Sequence, residues 1–204
     1  MTAAQVTLSL QRLIEAAQAT VAAHAEELTA LDQAIGDGDH GHNMVRGFTA
    51  MQAAAAEIAA QPFGKALHKA GMTLVMKVGG ASGPLYGSLL MAMGKAREDA
   101  PTDSAALAAV VQAGVEAVKA RGKSDAGAKT MLDVLVPVQA ALAEGGGIAA
   151  VRSAADAGLA ATKPMLATKG RASFLGERSI GHLDPGARSC ALLVHAVCDV
   201  LEEE

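Results

Sequence analysis

Aromatic side chains are nearly missing from this 204-residue chain, which has no tryptophan, one tyrosine and three phenylalanines. Strands are enriched in aromatic and β-branched residues, so the scarcity argues against a sheet. Hydrophobic residues still make up 51%. The core must therefore be built from Ala, Leu, Val, Ile and Met, a set that favours closely packed helices. Basic charge is not in excess either: 17 Lys and Arg face 21 Asp and Glu, a formal net charge of −4. Without a basic stripe, nucleic-acid binding has no support. No charge-free apolar run of about 18 residues exists, so no membrane span is expected. The N-terminus lacks a basic segment followed by an apolar run, so no secretory leader is expected. The two cysteines, Cys190 and Cys198, stand eight apart in an apparent helix. That separates them by about 12 Å, too far for a disulfide within one helix. They read as buried thiols of a cytoplasmic protein.

Helical spacing is what the chain does have. Val6, Leu10, Leu13, Ile14, Ala17, Val21 and Leu28 repeat through residues 4–30 until Gly36 and Gly38 interrupt. A second helix is expected over about 43–60, closed by Gln61-Pro62, and a third over 63–77, ending before Gly79-Gly80. A fourth runs from near Pro84 to near Arg97, and a fifth opens at Asp103 or Ser104 and ends before Gly122. The sixth and seventh cover about 129–143 and 148–167. The last begins with Asp184 as cap and Pro185 at the first helical position. Eight helices with short connections predict an all-α single domain over 1–204 whose consecutive helices are antiparallel neighbours. The exception is "TKGRASFLGERSIGHL", 168–183, a connection long enough to be functional or mobile.

Four loops carry chemistry. The first, "DQAIGDGDHGHN", holds Asp32, Asp37 and Asp39. Carboxylates are hard oxygen ligands suited to Mg²⁺. A lone Asp-Gly-Asp is more often a solvated turn. Asp32, the flanking glycines and His40-Gly41-His42-Asn43 shift the reading to a cation. An EF-hand is excluded, because counting from Asp37 places Phe48 where the twelfth-position Glu belongs. The second loop, "VGGASGPLYGS", combines Gly79, Gly80 and Gly83 with Ser82 ahead of a helix N-terminus. Such a loop serves either to crowd N–H groups around a phosphate or to let two helices approach. It is not a Walker A motif. "RGKS" has the Lys and Ser, but Ala117 stands where the first glycine is needed.

The third loop, "RGKSDAGAKTMLDVL", brackets a turn with Gly122 and Gly127. Lys123 and Lys129 fit either phosphate ligands or solvated loop charges, and Met131 either an adenine face or the core. The fourth, "GRASFLGERSIGHLDPGA", holds Arg171, Arg178, His182 and Asp184 ahead of a helix N-terminus with Gly186. An arginine on a long loop suits a phosphoryl-transfer clamp, or is simply surface.

Together and in this order, "GDGDHGHNM", "GGASGPLYG", "DAGAKTMLDVL" and "GRASFLGERSIGHLDPGA" resemble the L subunits of dihydroxyacetone kinases, over essentially the whole chain. The resemblance implies an antiparallel eight-helix barrel with ADP or ATP at one rim. It implies that Asp32, Asp37 and Asp39 hold two Mg²⁺ ions that bridge the phosphates. His40, Gly41 and Asn43 match the nucleotide-contacting run, and Ala81 and Ser82 the phosphate loop. Gly122, Thr130 and Met131 match the adenine and ribose end. Arg178 and Asp184-Pro185-Gly186 match the C-terminal side, with Arg178 in the catalytic role. His42 stands where relatives commonly have a small residue, and is left out of the site.

The chain starts almost directly at its first helix and ends after its eighth, so a separate subunit of the phosphotransferase-system type is expected rather than a fused kinase. That type implies a tightly held ADP, recharged by a phosphohistidine M-type subunit. The phosphoryl group then passes to dihydroxyacetone on a K-type subunit. A chain using freely exchanging ATP on a related small ketose or polyol is an alternative. The nucleotide domain of fatty acid kinases shares the aspartate cluster but typically carries Thr at the place of His40. A regulatory module that binds a transcription regulator is a rival from another class. A purely structural helical protein leaves the three aspartates unexplained.

Overall fold

The structure, a computed structural model, describes the backbone of residues 3–203 and the side chains of 9–203, so Val6 lies outside the described side chains. Ten α-helices and one 3-10 segment follow one another: α1 Ala3–Ala23, α2 Ala25–Ile35, α3 His40–Ala53, α4 Ala55–Ala59, α5 Phe63–Lys77, α6 Ser82–Ala96, α7 Ser104–Gly122, α8 Leu132–Ala143, α9 Ile148–Thr162, the 3-10 segment Arg171–Ser179 and α10 Pro185–Glu202. No strand occurs among the described residues.

Eight of these helices close a ring. α1 packs on α3, α3 on α5, α5 on α6, and so in chain order through α7, α8, α9 and α10, which returns to α1. Short connections make successive members alternate in direction. Leu10, Ile14, Val21, Met44, Leu74, Val115, Leu132, Val134 and Ala191 meet in one core inside it. Few of these side chains are large, so the helices come close. α5 and α6 bring Gly71 and Gly87 together backbone to backbone. Tyr86 is buried in the core against Phe48, edge to face with ring centroids 6.5 Å apart. Cys190 and Cys198 are free, buried thiols, and burial pushes Cys190 up to about 12.

The eight expected helical runs correspond to more elements than eight. The first run bends at His24 (φ −108°, ψ 13°), which turns α2 out of the ring onto α3, α10 and the 3-10 segment. Arg188 on α10 holds it there, with its Nε 2.6 Å from Glu27 Oε1. The second run breaks at Ala54, and α4 packs on α1 and α5. The sixth starts at Leu132 rather than at 129, because Lys129 is left-handed (φ +63°). The seventh stops at Thr162 rather than at 167, two residues before Pro164. Asp103 caps α7 and Asp184 caps α10, each accepting from the N–H three residues on.

The long connection is packed. Ala172 and Leu175 of the 3-10 segment join Ile35 and Ala167 in a small second cluster against the end of α2. Ser179 is fully buried; its Oγ accepts from Ala167 N (3.0 Å) and donates to Gly176 O (2.7 Å).

Lys129 is neither a phosphate ligand nor a solvated charge. It is 1% exposed, and its Nζ donates to the carbonyls of Thr162 (2.7 Å), Met165 (3.2 Å) and His182 (2.6 Å). Three donors meet three acceptors, so the ammonium is satisfied and the chain after α9 is tied to the start of α10. Lys129→Met leaves those carbonyls without their donor. We expect it to cost about 3 kcal/mol in denaturant unfolding, and a loss below about 1 kcal/mol contradicts the clamp.

Candidate functional site

Alternation of direction brings four helix N-termini to one rim: α3 at His40, α6 at Ser82, α8 at Leu132 and α10 at Pro185. Contacts confirm the convergence of three of them. His40 Nδ1 lies 3.1 Å from Ser82 Oγ, and His40 Nε2 lies 3.0 Å from Ser189 Oγ. A Cβ on Gly186 would come within 3.7 Å of Met131 N, which places α8 beside α10. Unpaired N–H groups and the positive ends of the helix dipoles make such a rim attractive to anions.

The acidic loop sits on this rim. Asp32, buried in the last turn of α2, accepts from Asp39 N (2.9 Å) and His40 N (3.1 Å) through one oxygen, Oδ2. These bonds fold the chain back so that Asp37 and Asp39 face Asp32. The closure needs Gly36, where a Cβ would lie 2.0 Å from Asp32 Oδ1. One carboxylate oxygen from each of Asp32, Asp37 and Asp39 lies within 4.8 Å of the others. Oxygen donors of this kind at this spacing fit Mg²⁺. Arg171, from the 3-10 segment, reaches Asp37 Oδ2 at 2.6 Å and draws that segment over the cluster.

Around the aspartates the expected residues divide. His40 is buried between two serines. Burial lowers its pKa, while Asp32 and Asp39 pull the other way. Asn43 is buried, and its Oδ1 accepts from Arg46 Nη2 at 2.7 Å; its amide nitrogen faces Gly80. Gly41 and Gly83 are close-approach positions. A Cβ would meet Ala25 O at 2.0 Å and Val78 O at 2.4 Å, respectively. Gly83 thus answers to helix packing, while Gly80 (φ +64°), Ala81 and half-buried Ser82 form the open lip. Met131 is in the core, 4% exposed. Thr130 and exposed Gly122 lie farther along the rim. A cleft of about 500 Å³ there is lined by Lys119, Lys123, Ser124, Asp125, Thr168 and Lys169, and not by Asp32, Asp37 or Asp39. Arg178 is exposed, without a hydrogen bond or ion pair among the described residues. Pro185 and Asp184 are buried at the start of α10.

Two residues at the rim escaped the sequence reading. Asp133 accepts from Gly127 N and from Thr130 N (2.7 Å), and Thr130 Oγ1 accepts from Leu132 N (3.2 Å). Asp133 thus reaches back as the last residue of a capping box does, and Thr-x-x-Asp ahead of an apolar run was a legible signal for it. Arg46 had no such signal. It also donates to Lys77 O (2.8 Å), holding the glycine loop to α3.

Asp184 carries an electrostatic cost. Burial pushes its carboxyl up to about 7; the Ala187 N–H and Lys129 oppose this, and Asp133 and Asp32 add to it. The folded protein therefore holds this proton more tightly than the unfolded chain. The stability it contributes is present below about pH 4 and lost as pH rises towards 7. Asparagine keeps the cap without the charge. In chelator, Asp184→Asn is expected to exceed the parent's Tm by a small margin at pH 5 and by a larger one at pH 8. An equal difference at both pH values would contradict this.

The geometry defines a class first: an all-helical barrel with a three-carboxylate cluster, spaced to hold a cation, amid convergent helix N-termini. The family model described as DAK2 domain matches residues 34–199, and the chain belongs to that family, among the dihydroxyacetone kinase L subunits. It is 52% identical over 170 residues to the "PEP-dependent dihydroxyacetone kinase 1, ADP-binding subunit DhaL" of Listeria innocua, covering 83% of this chain and 84% of that one. It is 40% identical over 190 residues to the "PEP-dependent dihydroxyacetone kinase, ADP-binding subunit DhaL" of Escherichia coli, covering 88% and 90%. Its fold is similar to the crystal structure of the dihydroxyacetone kinase from C. freundii in complex with AMP-PNP and Mg²⁺. There the TM-score is 0.75 at 25% identity, covering 93% of this chain and 33% of that one.

Proposed function

We propose that this chain carries the nucleotide of a dihydroxyacetone kinase, holding ADP or ATP with Mg²⁺ and passing on its terminal phosphoryl group. The observation that carries the reading is the cluster of three carboxylate oxygens within 4.8 Å on a rim of helix N-termini. When bound, Mg²⁺ supplies charge neutralisation and alignment of the phosphates. Asp32, Asp37 and Asp39 hold it, two ions fitting the charge of three carboxylates. The N-termini of α3, α6 and α10 receive the phosphates. The loop at Gly122 and Thr130, beside the lysine-lined cleft, receives the nucleoside. Arg178, free and exposed, reaches the moving phosphoryl oxygens.

The acceptor comes on another protein. A base is needed beside the sugar hydroxyl, and most of the titratable groups at this rim have other roles. The aspartates would hold the cation, His40 lies between two hydroxyls, and Lys129 is taken by three carbonyls. A K-type subunit supplies dihydroxyacetone and the base, docking on this rim so that transfer runs in line. A phosphohistidine M-type subunit recharges the bound ADP. The names of the Listeria and E. coli relatives, PEP-dependent and ADP-binding, support this arrangement over a freely exchanging ATP kinase. The test combines the purified chain with ATP, Mg²⁺ and dihydroxyacetone. No sugar phosphate is expected until a K-type subunit is added; steady production by the chain alone refutes the proposal. Mass analysis of the copurifying nucleotide is expected to find ADP.

A further inference from the structure

Two of the three phenylalanines are packed: Phe48 is 3% exposed, and Phe63 leans on the core. Phe174 is 86% exposed, more than any other large hydrophobic side chain among the described residues. A loose segment is not the cause. The 3-10 segment that carries it buries Ala172 and Ser179, and its Leu175 packs with Ile35 and Ala167. Residues three apart share a face of a 3-10 helix. One face, Ala172 and Leu175, meets the small cluster. Another carries Arg171 and Phe174, about 6 Å apart at about 2 Å of rise per residue. Arg171 lies 2.6 Å from Asp37 Oδ2. Phe174 thus stands one turn from a side chain that touches the aspartate cluster. Leu166 and Ile180, each 44% exposed, belong to the same region. Their chain segments are pinned together on both sides, Ala167 N to Ser179 Oγ at 3.0 Å and Gly181 N to Lys163 O at 2.8 Å. The two apolar side chains therefore emerge close to each other. Charge around them is basic: Lys163, Lys169, Arg171 and Arg178 are exposed against Glu177, on a chain of net charge −4.

We propose that Phe174, with Leu166 and Ile180 nearby, is the anchor for the acceptor-bearing K-type subunit, whose matching face is an apolar pocket ringed by carboxylates. The identity of the partner rests on the nucleotide reading above. In-line transfer requires the acceptor to come within bonding distance of a phosphoryl group beside the aspartates. A protein that brings it there must approach past the segment that Arg171 draws over them. An aromatic ring on packed backbone has little freedom to lose on docking, and it supplies a dry central contact, as interface anchors do. The surrounding cations steer an acidic partner to it.

The test has two arms. Calorimetric titration measures binding of the K-type subunit to the full chain, and single-turnover transfer from preloaded ATP to dihydroxyacetone is followed against K-type concentration. Phe174→Ala, at an exposed position, is expected to weaken binding about 30-fold, the size of a central anchor. The half-saturating K-type concentration should rise by the same factor, while ADP retention and the transfer rate at saturation stay at the parent's values. Lys163→Glu is expected to weaken binding about five-fold at low salt, a difference that fades at high salt. Unchanged K-type binding in Phe174→Ala overturns the anchor, and unchanged binding in Lys163→Glu overturns the carboxylate ring. Loss of ADP retention in Phe174→Ala would make the ring a nucleotide contact and overturn the docking role. So would a change in the chain's own oligomeric state with K-type binding intact. If the parent binds the K-type subunit and transfers nothing, the nucleotide reading falls and the titration still decides the anchor. If the parent binds none, the docking proposal falls.

Discussion

Asp39→Asn is expected to lose Mg²⁺-dependent ADP retention by at least about 100-fold and to abolish phosphoryl transfer. Changes at groups that merely orient metal ligands already cost 10–100-fold in other proteins, and this change is at a ligand itself. The Asp39 side chain holds no backbone group and lies at the exposed side of the cluster, so the variant removes charge and leaves the loop in place. Asp37→Asn is expected to lose nearly as much, and it also releases Arg171 from its 2.6 Å pair. Asp32 is a different case, because its Oδ2 holds two backbone N–H groups. An asparagine there can still accept from them, so its defect should be graded, while alanine should disorder the turn. Equilibrium dialysis against chelator separates these outcomes. If Asp39→Asn keeps ADP as the parent does, the cluster is not the metal site.

Arg178→Lys is expected to bind ADP nearly as well as the parent and to turn over on the order of 10³-fold more slowly in the complete system. The guanidinium is planar and two-pronged, and lysine cannot reproduce its contacts with charge spread over transferring oxygens. Its freedom from partners matters, because a side chain already committed to the fold could not close on a substrate. Arg171, seven residues earlier, is the internal comparison. It is paired with Asp37, so Arg171→Lys is expected to weaken nucleotide retention rather than slow transfer. Single-turnover rates at saturating nucleotide distinguish the two. Unchanged transfer in Arg178→Lys would sink its role.

Much of this was open to reading in the residues. Helical period, the Asp103 and Asp184 caps and the Pro185 start are local signals, and they place α5, α7 and α10 within a residue or two. The aspartate cluster was legible because three like charges in one turn demand compensation. What was missed depends on contacts distant in the chain. Lys129 looked like a loop charge because its three carbonyl partners lie 33 to 53 residues later. The packing of the 168–183 connection depends on Ile35, on another helix. The bend at His24 has no glycine or proline to announce it, and only docking on α3 and α10 accounts for it. Ser189 and Tyr86, hydrogen-bonded at 2.8 Å, read as ordinary helical residues, since 103 positions separate them.

Closure of the ring in chain order sets a schedule for biosynthesis. α1 is made before every other member of the ring, yet one of its two ring neighbours is α10. At roughly 5–20 residues per second, the ribosome needs roughly ten to forty seconds between them. Through that interval Leu10, Ile14 and Val21, all buried in the finished core, have α3 for cover but not α10. The nascent chain must therefore travel as an open arc with an apolar inner wall. Its seam shuts only once translation has reached the final helix, and a ribosome stalled in α9 would hold out a surface made for chaperones or aggregation.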